Sequence, residues 1–223
     1  MMKFLHEYGG EIIELSADHL FLTGLAMLIA CGIAVPLGIV LTRLRSQRLA
    51  RAILGIVNIV QPIPSLALVA LAAVFFLTIG LPTIGIVPGL VALVAYALLP
   101  VLRNTYTGIR QVDPTVVEVA VGMGMTRRQV LFSVELPLAL PVVMAGIRIA
   151  TVWTIGVATL VSLIGADSLG KPIFRGLSRG RVDLILAGAL PAAALALIFD
   201  WLLGQFEKWL TPSGFEDGRS RAL

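Results

Sequence analysis

The chain has 223 residues, of which 58% are hydrophobic and only 13% are charged. Soluble globular domains contain roughly 45–50% apolar and about 25% charged residues, so this composition excludes a soluble domain and indicates an integral membrane protein. The formal net charge is +4, and the basic residues are scattered over separate loops, which is typical of a multi-pass membrane protein facing anionic lipid and not of a nucleic-acid-binding protein.

Five apolar stretches approach the length of about 20 residues that a helix needs to cross a bilayer. They lie at about 20–42, 64–80, 84–102, 138–164 and 184–203. The second has a helical lead-in from Ala52, and Gln61-Pro62-Ile63-Pro64 should break that helix because proline removes a backbone donor and clashes with the preceding turn. We therefore predict an all-α bundle of about five transmembrane helices over residues 20–204, preceded by an outer segment at 1–19 and followed by a cytoplasmic tail at 205–223.

The distribution of lysine and arginine predicts the orientation of this bundle, because these residues are enriched in cytoplasmic loops. If the N-terminus lies outside, the inner loops and tail hold Arg43, Arg45, Arg48, Arg51, Arg103, Arg110, Arg127, Arg128, Lys208, Arg219 and Arg221. The outer side then holds Lys3, Lys171, Arg175, Arg179 and Arg181. The bias predicts an outer N-terminus and a cytoplasmic C-terminus, with the polar stretch before the last span as a re-entrant or surface-lying turn at the outer mouth.

The segment 113–135, between the third and fourth spans, is too polar to cross a membrane. With the two residues that follow, it reads D-P-T-V-V-E-V-A-V-G-M-G-M-T-R-R-Q-V-L-F-S-V-E-L-P. Asp113 and Pro114 are a plausible N-cap and first helical residue. Gly124 would permit a turn between two helices, since glycine tolerates a positive φ. The pattern predicts short helices in a cytoplasmic loop.

This segment resembles the coupling motif of binding-protein-dependent ABC importer permeases, which is E-A-A, three residues, G, nine residues, I, one residue, L-P. Val119 and Val134 replace an alanine and the isoleucine of the motif without changing the spacing. The resemblance implies a type I ABC importer permease fold in which this loop docks onto a separate ATPase subunit. The residues to which it gives a role in ATPase coupling are Glu118, Ala120, Gly122, Gly124, Val134, Leu136 and Pro137. The alternative is an amphipathic interfacial helix without a partner.

Further segments resemble the glycine betaine/carnitine/choline branch of these permeases. They are Q-P-I-P-S-L-A-L, Y-A-L-L-P-V-L-R-N-T-Y-T-G-I, A-G-I-R-I-A and L-I-G-A-D-S-L-G-K-P-I-F-R-G, the last with Asp167-Ser168 where the family is expected to have two glycines. The resemblance implies a bacterial inner-membrane subunit that imports quaternary ammonium osmoprotectants. Its implied partners are cytoplasmic ATPase subunits, a second copy or paralogue of the permease, and an extracytoplasmic substrate-binding protein.

No cofactor is expected in this chain. It lacks the G-x-x-x-x-G-K-[ST] loop that cradles phosphates, so ATP is expected to bind to the partner subunit and the permease to be non-catalytic. His6 and His19 are too isolated for a metal site, and Cys31, the single cysteine, is interpreted as a small buried hydrophobe.

Arg148 interrupts the fourth span and is expected to face the bundle interior or a watery pathway, because a charge in lipid is costly. The simpler hypothesis is a structural ion pair, with Glu135 as a candidate partner. Asp200 is interpreted as interfacial. Trp201 and Trp209 are interpreted as interfacial anchors and Trp153 as packing, in preference to a tryptophan cage for a quaternary ammonium.

Three rival functions remain open at this point. A stand-alone secondary transporter or channel would need acidic residues or broken helices near the midplane. A membrane-embedded enzyme would need a cluster of His, Asp or Cys within the spans. A permease of the same family for another small solute, such as methionine, would share every feature above except the branch resemblance.

Overall fold

The computed structural model describes residues 2–59 and 62–210, with backbone alone for residues 2–7. These residues form helices and connecting loops. The α-helices are α1 (Met2–Arg43), α2 (Gln47–Asn58), α3 (Ser65–Thr78), α4 (Ile86–Arg110), α5 (Pro114–Gly122), α6 (Arg127–Val130), α7 (Leu136–Ala158), α8 (Gly170–Arg179) and α9 (Val182–Leu210). A π-helical turn at Leu131–Glu135 joins α6 to α7, and a 3-10 helix at Leu160–Ile164 follows α7.

Four helical segments in the described chain are long and apolar enough to cross a membrane, which agrees with four of the five predicted spans. They are Tyr8–Arg43, Ile86–Arg110, Arg127–Ala158 and Val182–Leu210. The first and last are longer than the sequence suggested: α1 takes in most of residues 1–19, and α9 takes in residues 205–210 of the predicted tail. Residues 211–223 lie outside the described residues.

The remaining predicted span, 64–80, is the shorter apolar helix α3, which has 14 residues. At about 1.5 Å per residue such a helix covers only about 21 Å, less than the hydrocarbon core. The predicted break before it is present, because α2 ends at Asn58 and α3 begins directly after Pro64. This part of the chain is therefore a broken helix, in which α2 and α3 are separate pieces.

Helix α4 lies at the centre of the bundle, between α1 and α7. Small residues let these helices approach closely, as is common between membrane helices. A Cβ on Gly146 of α7 would lie 2.5 Å from the Cβ of Asn104 in α4, and one on Gly38 of α1 would lie 2.8 Å from the Cβ of Thr105. These contacts fix α1, α4 and α7 as one packed unit.

The polar stretch before the last span was predicted as a re-entrant or surface-lying turn, and the structure instead has a helix there, α8, packed on α9. The close approach depends on Gly188, where a Cβ would lie 2.3 Å from the backbone oxygen of Leu169. Arg175 of α8 forms an ion pair with Glu11 of α1, 2.9 Å between Nη2 and Oε1. The start of α1 and α8 therefore lie at the same end of the bundle.

From the sequence, His19 was expected to form no metal site and Cys31 was interpreted as a small buried hydrophobe, and both residues lie in α1. His19 is fully buried, with Nε2 3.1 Å from the backbone oxygen of Ile155. Cys31 is partly buried against the apolar cluster shared by α1 and α4. The part of the chain that the structure describes contains no group of three His, Cys, Asp or Glu residues placed to hold a metal ion.

Candidate functional site

The segment 113–135 folds as two short helices joined by a sharp turn. Asp113 caps α5 by accepting a hydrogen bond from the backbone N–H of Thr115 at 2.8 Å, and Pro114 is the first helical residue. Thr126 begins α6 with a capping box, in which its side chain and that of Gln129 satisfy each other's backbone N–H. These caps stabilise both helix starts without help from the rest of the bundle.

Gly124 lies in the turn and has a φ of +86°. Residues other than glycine rarely adopt this backbone conformation, so the turn favours glycine at this position. A Cβ added at Gly124 would meet no atom within 4 Å, and the same is true of Gly122. Both glycines therefore have open space beside them within this chain, on the exposed side of the turn.

The segment 113–135 presents exposed apolar side chains, although it is too polar as a whole to cross a membrane. We call them the coupling surface, and they are Val116, Val119, Val121, Met123 and Phe132, exposed by 42%, 57%, 56%, 72% and 65%. Glu118 is exposed beside them, whereas Ala120 is buried. An exposed apolar patch with a polar rim is typical of a protein–protein interface.

The coupling surface is connected to the bundle through the π-helical turn. Glu135, the last residue of the turn, is buried and forms a bidentate ion pair with Arg43, the last residue of α1, with 3.0 Å between Nη1 and Oε1 for one of its two bonds. Val134 and Leu136 are half-buried around it, and Pro137 is exposed at the start of α7. A displacement of α5 and α6 would therefore act on α1 and α7 together.

The predicted pairing of Arg148 with Glu135 is wrong, because Glu135 pairs with Arg43. Arg148 pairs instead with Asp200 of α9, which the sequence had suggested was merely interfacial, and the bond between Nη2 and Oδ2 is 2.7 Å. Arg148 Nη1 also lies 4.0 Å from Oε2 of Glu207. Gly204 leaves room for the guanidinium, since a Cβ there would lie 3.2 Å from Nη1.

A shallow groove runs along the outer side of α7, and we call it the α7 groove. One part, of about 400 Å³, is lined by Ala145, Arg148, Ile149, Val152, Trp153, Asp200 and Glu207. The other part, of about 570 Å³, is lined by Ser65, Tyr96, Val152, Trp153, Gly156, Val157 and Leu160. Trp153, which was interpreted from the sequence as a packing residue, contacts Tyr96 with 6.3 Å between the ring centroids. It also borders both parts of the groove and is 42% exposed.

Comparison with known families decides the class of the protein. Residues 34–212 match the family described as the inner membrane component of binding-protein-dependent transport systems. The chain belongs to this family. It is therefore a multi-pass inner-membrane protein of the ABC importer permease class.

Related permeases match over almost their whole length. The glycine betaine/carnitine/choline transport system permease protein OpuCB of Bacillus subtilis is 45% identical over 97% of this chain and 96% of its own. The carnitine transport permease protein OpuCB of Listeria monocytogenes is 42% identical over 98% and 97%. The osmoprotectant import permease protein OsmW of Salmonella typhimurium is 39% identical over 96% and 98%.

A solved structure has the same fold at much lower identity. A chain of the MetNI methionine ABC transporter, in an inward-facing conformation, superposes with a TM-score of 0.79 and covers 90% of this permease and 96% of its own length. At 21% identity this similarity establishes the fold alone. It confirms the predicted type I ABC importer permease fold.

Proposed function

We propose that this permease is the transmembrane subunit of an ATP-driven importer for quaternary ammonium osmoprotectants, namely glycine betaine, choline and carnitine. The observation that carries the proposal is the nearly full-length similarity to permeases of this substrate class. The Bacillus subtilis glycine betaine/carnitine/choline permease, for example, is 45% identical over 97% of this chain. The experiment that tests it is uptake into proteoliposomes that contain the permease, its ATPase and its receptor.

The ATPase is proposed to dock on the coupling surface. Glu118, Ala120, Gly122 and Gly124 lie in α5 and its turn, where exposed valines and Met123 offer an apolar contact. Val134, Leu136 and Pro137 lie where the coupling segment enters α7. Closure of the ATPase pair on ATP would move α5 and α6, and the Arg43–Glu135 ion pair would pass that movement to α1 as well as to α7.

A second permease, either identical or paralogous, is proposed to complete the pore. Arg148 interrupts the fourth predicted span, and its side chain and those of its partners Asp200 and Glu207 are partly exposed on the surface of the single chain, where contact with lipid would be costly. A second subunit or a watery pathway between two subunits removes that cost. Affinity for the solute is assigned to an extracytoplasmic receptor, and ATP hydrolysis to the ATPase, so this chain is non-catalytic.

A methionine permease is the alternative within the family, and the similarity to a chain of a methionine transporter extends to the fold alone. The identity to that structure is 21%, compared with 45% for the glycine betaine/carnitine/choline relative. A stand-alone secondary transporter is disfavoured by membership of a binding-protein-dependent family. Co-purification of the chain with an ATPase subunit separates that last alternative from the proposal.

The N-terminus is proposed to lie outside and the C-terminus in the cytoplasm. Lys3→Cys and Arg175→Cys should then react with an impermeant maleimide in intact cells, whereas Arg45→Cys and Arg127→Cys should react only after permeabilisation. All four would be made in a Cys31→Ser background, which removes the single native cysteine. The Arg175–Glu11 and Arg43–Glu135 pairs support this grouping, because they place the two sets at opposite ends of α1. Labelling of positions 45 and 127, but not 3 and 175, in intact cells would reverse the topology.

A further inference from the structure

We infer that the start of α2 binds anionic phospholipid, with Arg45, Arg48 and Arg51 on the phosphate headgroups and an apolar side of the helix on the acyl chains. We call these three arginines the basic patch. The patch lies at the end of the bundle that carries the segment 113–135, because Arg43, the last residue of α1, pairs with Glu135 and α2 begins four residues later. The inference does not depend on the transported solute.

The basic patch lacks a neutralising carboxylate in the part of the chain that the structure describes. All three arginines are exposed, and none of them forms an ion pair with a described residue. Arg51 makes only a local hydrogen bond, from Nε to the backbone oxygen of Gln47 at 3.3 Å. Along the sequence, the nearest acidic residues on either side are Asp18 and Asp113. The patch therefore presents three positive charges to anions from outside this chain.

Helix α2 also has an apolar side that the bundle leaves open. Leu49, Ile56 and Ile59, the last directly after the helix, are each more than half exposed. At about 100° per residue they lie on one side of the helix, and Arg48 and Arg51 lie on another. The third side, buried or half-buried against the bundle, carries Ala50, Ile53, Leu54 and Val57. Separate basic and exposed apolar sides are typical of a helix at a membrane surface.

The position of the basic patch at the end of a long apolar helix favours lipid as its partner. Helix α1 is long and apolar enough to span a membrane, and residues 43–51, at its end, contain four arginines. Basic clusters beside a membrane helix attract anionic headgroups. Arg43 is already paired with Glu135, which leaves the patch for an outside partner. Guanidinium groups suit phosphate because they donate hydrogen bonds as a planar fork.

Helix α4 brings further positive charge to the same place. The Tyr106 hydroxyl donates a hydrogen bond to Oε1 of Gln47, at the start of α2, at 3.4 Å. Arg103 and Arg110 lie three residues before and four residues after Tyr106, so they share its side of α4. Both arginines are exposed. A wide basic surface beside an exposed apolar side matches headgroups together with acyl chains, whereas a soluble phosphate ion would use the charges alone.

Fluorescence quenching on α2 can measure which lipid collects there. Ala52→Cys, in a Cys31→Ser background, would carry bimane at an exposed position one turn from Arg48. The permease, assembled with its ATPase in nanodiscs, would be compared with doxyl-labelled phosphatidylglycerol and doxyl-labelled phosphatidylcholine as quenching lipids. We expect phosphatidylglycerol to be enriched about three- to tenfold over phosphatidylcholine at this position. Sodium chloride at about 1 M should reduce that preference to less than about twofold.

Two paired substitutions separate charge from helix structure. Arg48→Gln/Arg51→Gln should lower the preference for phosphatidylglycerol to less than about twofold, because it removes two of the three charges of the patch. Arg48→Lys/Arg51→Lys is the matched control, and it should keep at least about half of the preference because it keeps both charges. Size-exclusion chromatography of each labelled complex would check that the variants have assembled.

Four results would overturn the assignment. Equal quenching by the two lipids, or a preference that survives Arg48→Gln/Arg51→Gln, would remove the basic patch as the lipid site. Weak quenching by both lipids would show that protein, such as a second permease or the ATPase, covers this side of α2. Stronger competition by inorganic phosphate than by chloride at equal ionic strength would indicate a site for a soluble anion. Each of these results would leave the proposed solute unaffected.

Discussion

Replacing Gly124 by leucine is expected to lower uptake at least about tenfold while leaving the permease in the membrane. Gly124 has a φ of +86°, which leucine adopts only with strain of about 1–2 kcal/mol. The new side chain would also project into the open space beside the turn, where the ATPase is proposed to dock. Membrane abundance, ATPase co-purification, receptor-stimulated hydrolysis and uptake would be measured on the same preparation.

Gly80→Leu provides the matched control for backbone strain. Gly80 has a φ of +72°, and a Cβ added there would meet no atom within 4 Å, but the residue lies between α3 and α4, away from the coupling surface. We expect its uptake to remain within about threefold of wild type. Normal uptake in Gly124→Leu would contradict the assignment of this loop, and an equal loss in Gly80→Leu would attribute the effect to strain alone.

Breaking the Arg43–Glu135 pair from the arginine side is expected to destabilise the permease by about 2 kcal/mol. The side chain of Glu135 is only 6% exposed, so Arg43→Met would leave a carboxylate buried without its partner. Glu135→Gln should cost less than about 1 kcal/mol, because the side chain of Arg43 is 48% exposed and can be solvated. The stability of both variants can be measured by heating them in nanodiscs and monitoring the loss of native complex.

The double variant Arg43→Met/Glu135→Gln distinguishes pairing from a general effect of each site. Since it buries no unpaired charge, it should be more stable than Arg43→Met alone. Arg45→Met, at an exposed arginine nearby, is the control for loss of positive charge in this region. If Glu135→Gln were the more damaging single change, or the two effects simply added, the pair would not link α1 to the coupling segment as we describe.

Local features of the fold could be predicted from the sequence because they depend on residues close along the chain. Asp113, Pro114 and Gly124 lie in the structure at the helix cap, the first helical position and the turn expected for them, since each is governed by the conformational preference of its own backbone. The break before Ser65 follows from proline in the same way. The four long apolar helices follow from runs of mostly apolar residues.

Features that depend on packing between distant segments could not be predicted in this way. Arg148 and Asp200 are the only charged residues within the predicted spans 138–164 and 184–203, and their opposite charges were the one signal that could have paired them. Glu135 is closer along the chain to Arg148 than to Arg43. It nevertheless pairs with Arg43, because the end of α1 lies beside it in the folded bundle. Nor does helical periodicity show that α3 is short, or that Trp153 borders a groove with Tyr96, because both depend on how the helices associate.

We propose that this permease, with a separate ATPase and receptor, imports quaternary ammonium osmoprotectants. The most direct test of this function is uptake of radiolabelled glycine betaine, choline, carnitine and methionine, side by side, into proteoliposomes that contain the three components. We predict uptake of at least one quaternary amine that requires ATP on the cytoplasmic side and stops when the receptor is omitted. Methionine uptake without any quaternary amine would contradict the substrate assignment, and uptake that continues without ATPase and ATP would contradict the importer mechanism.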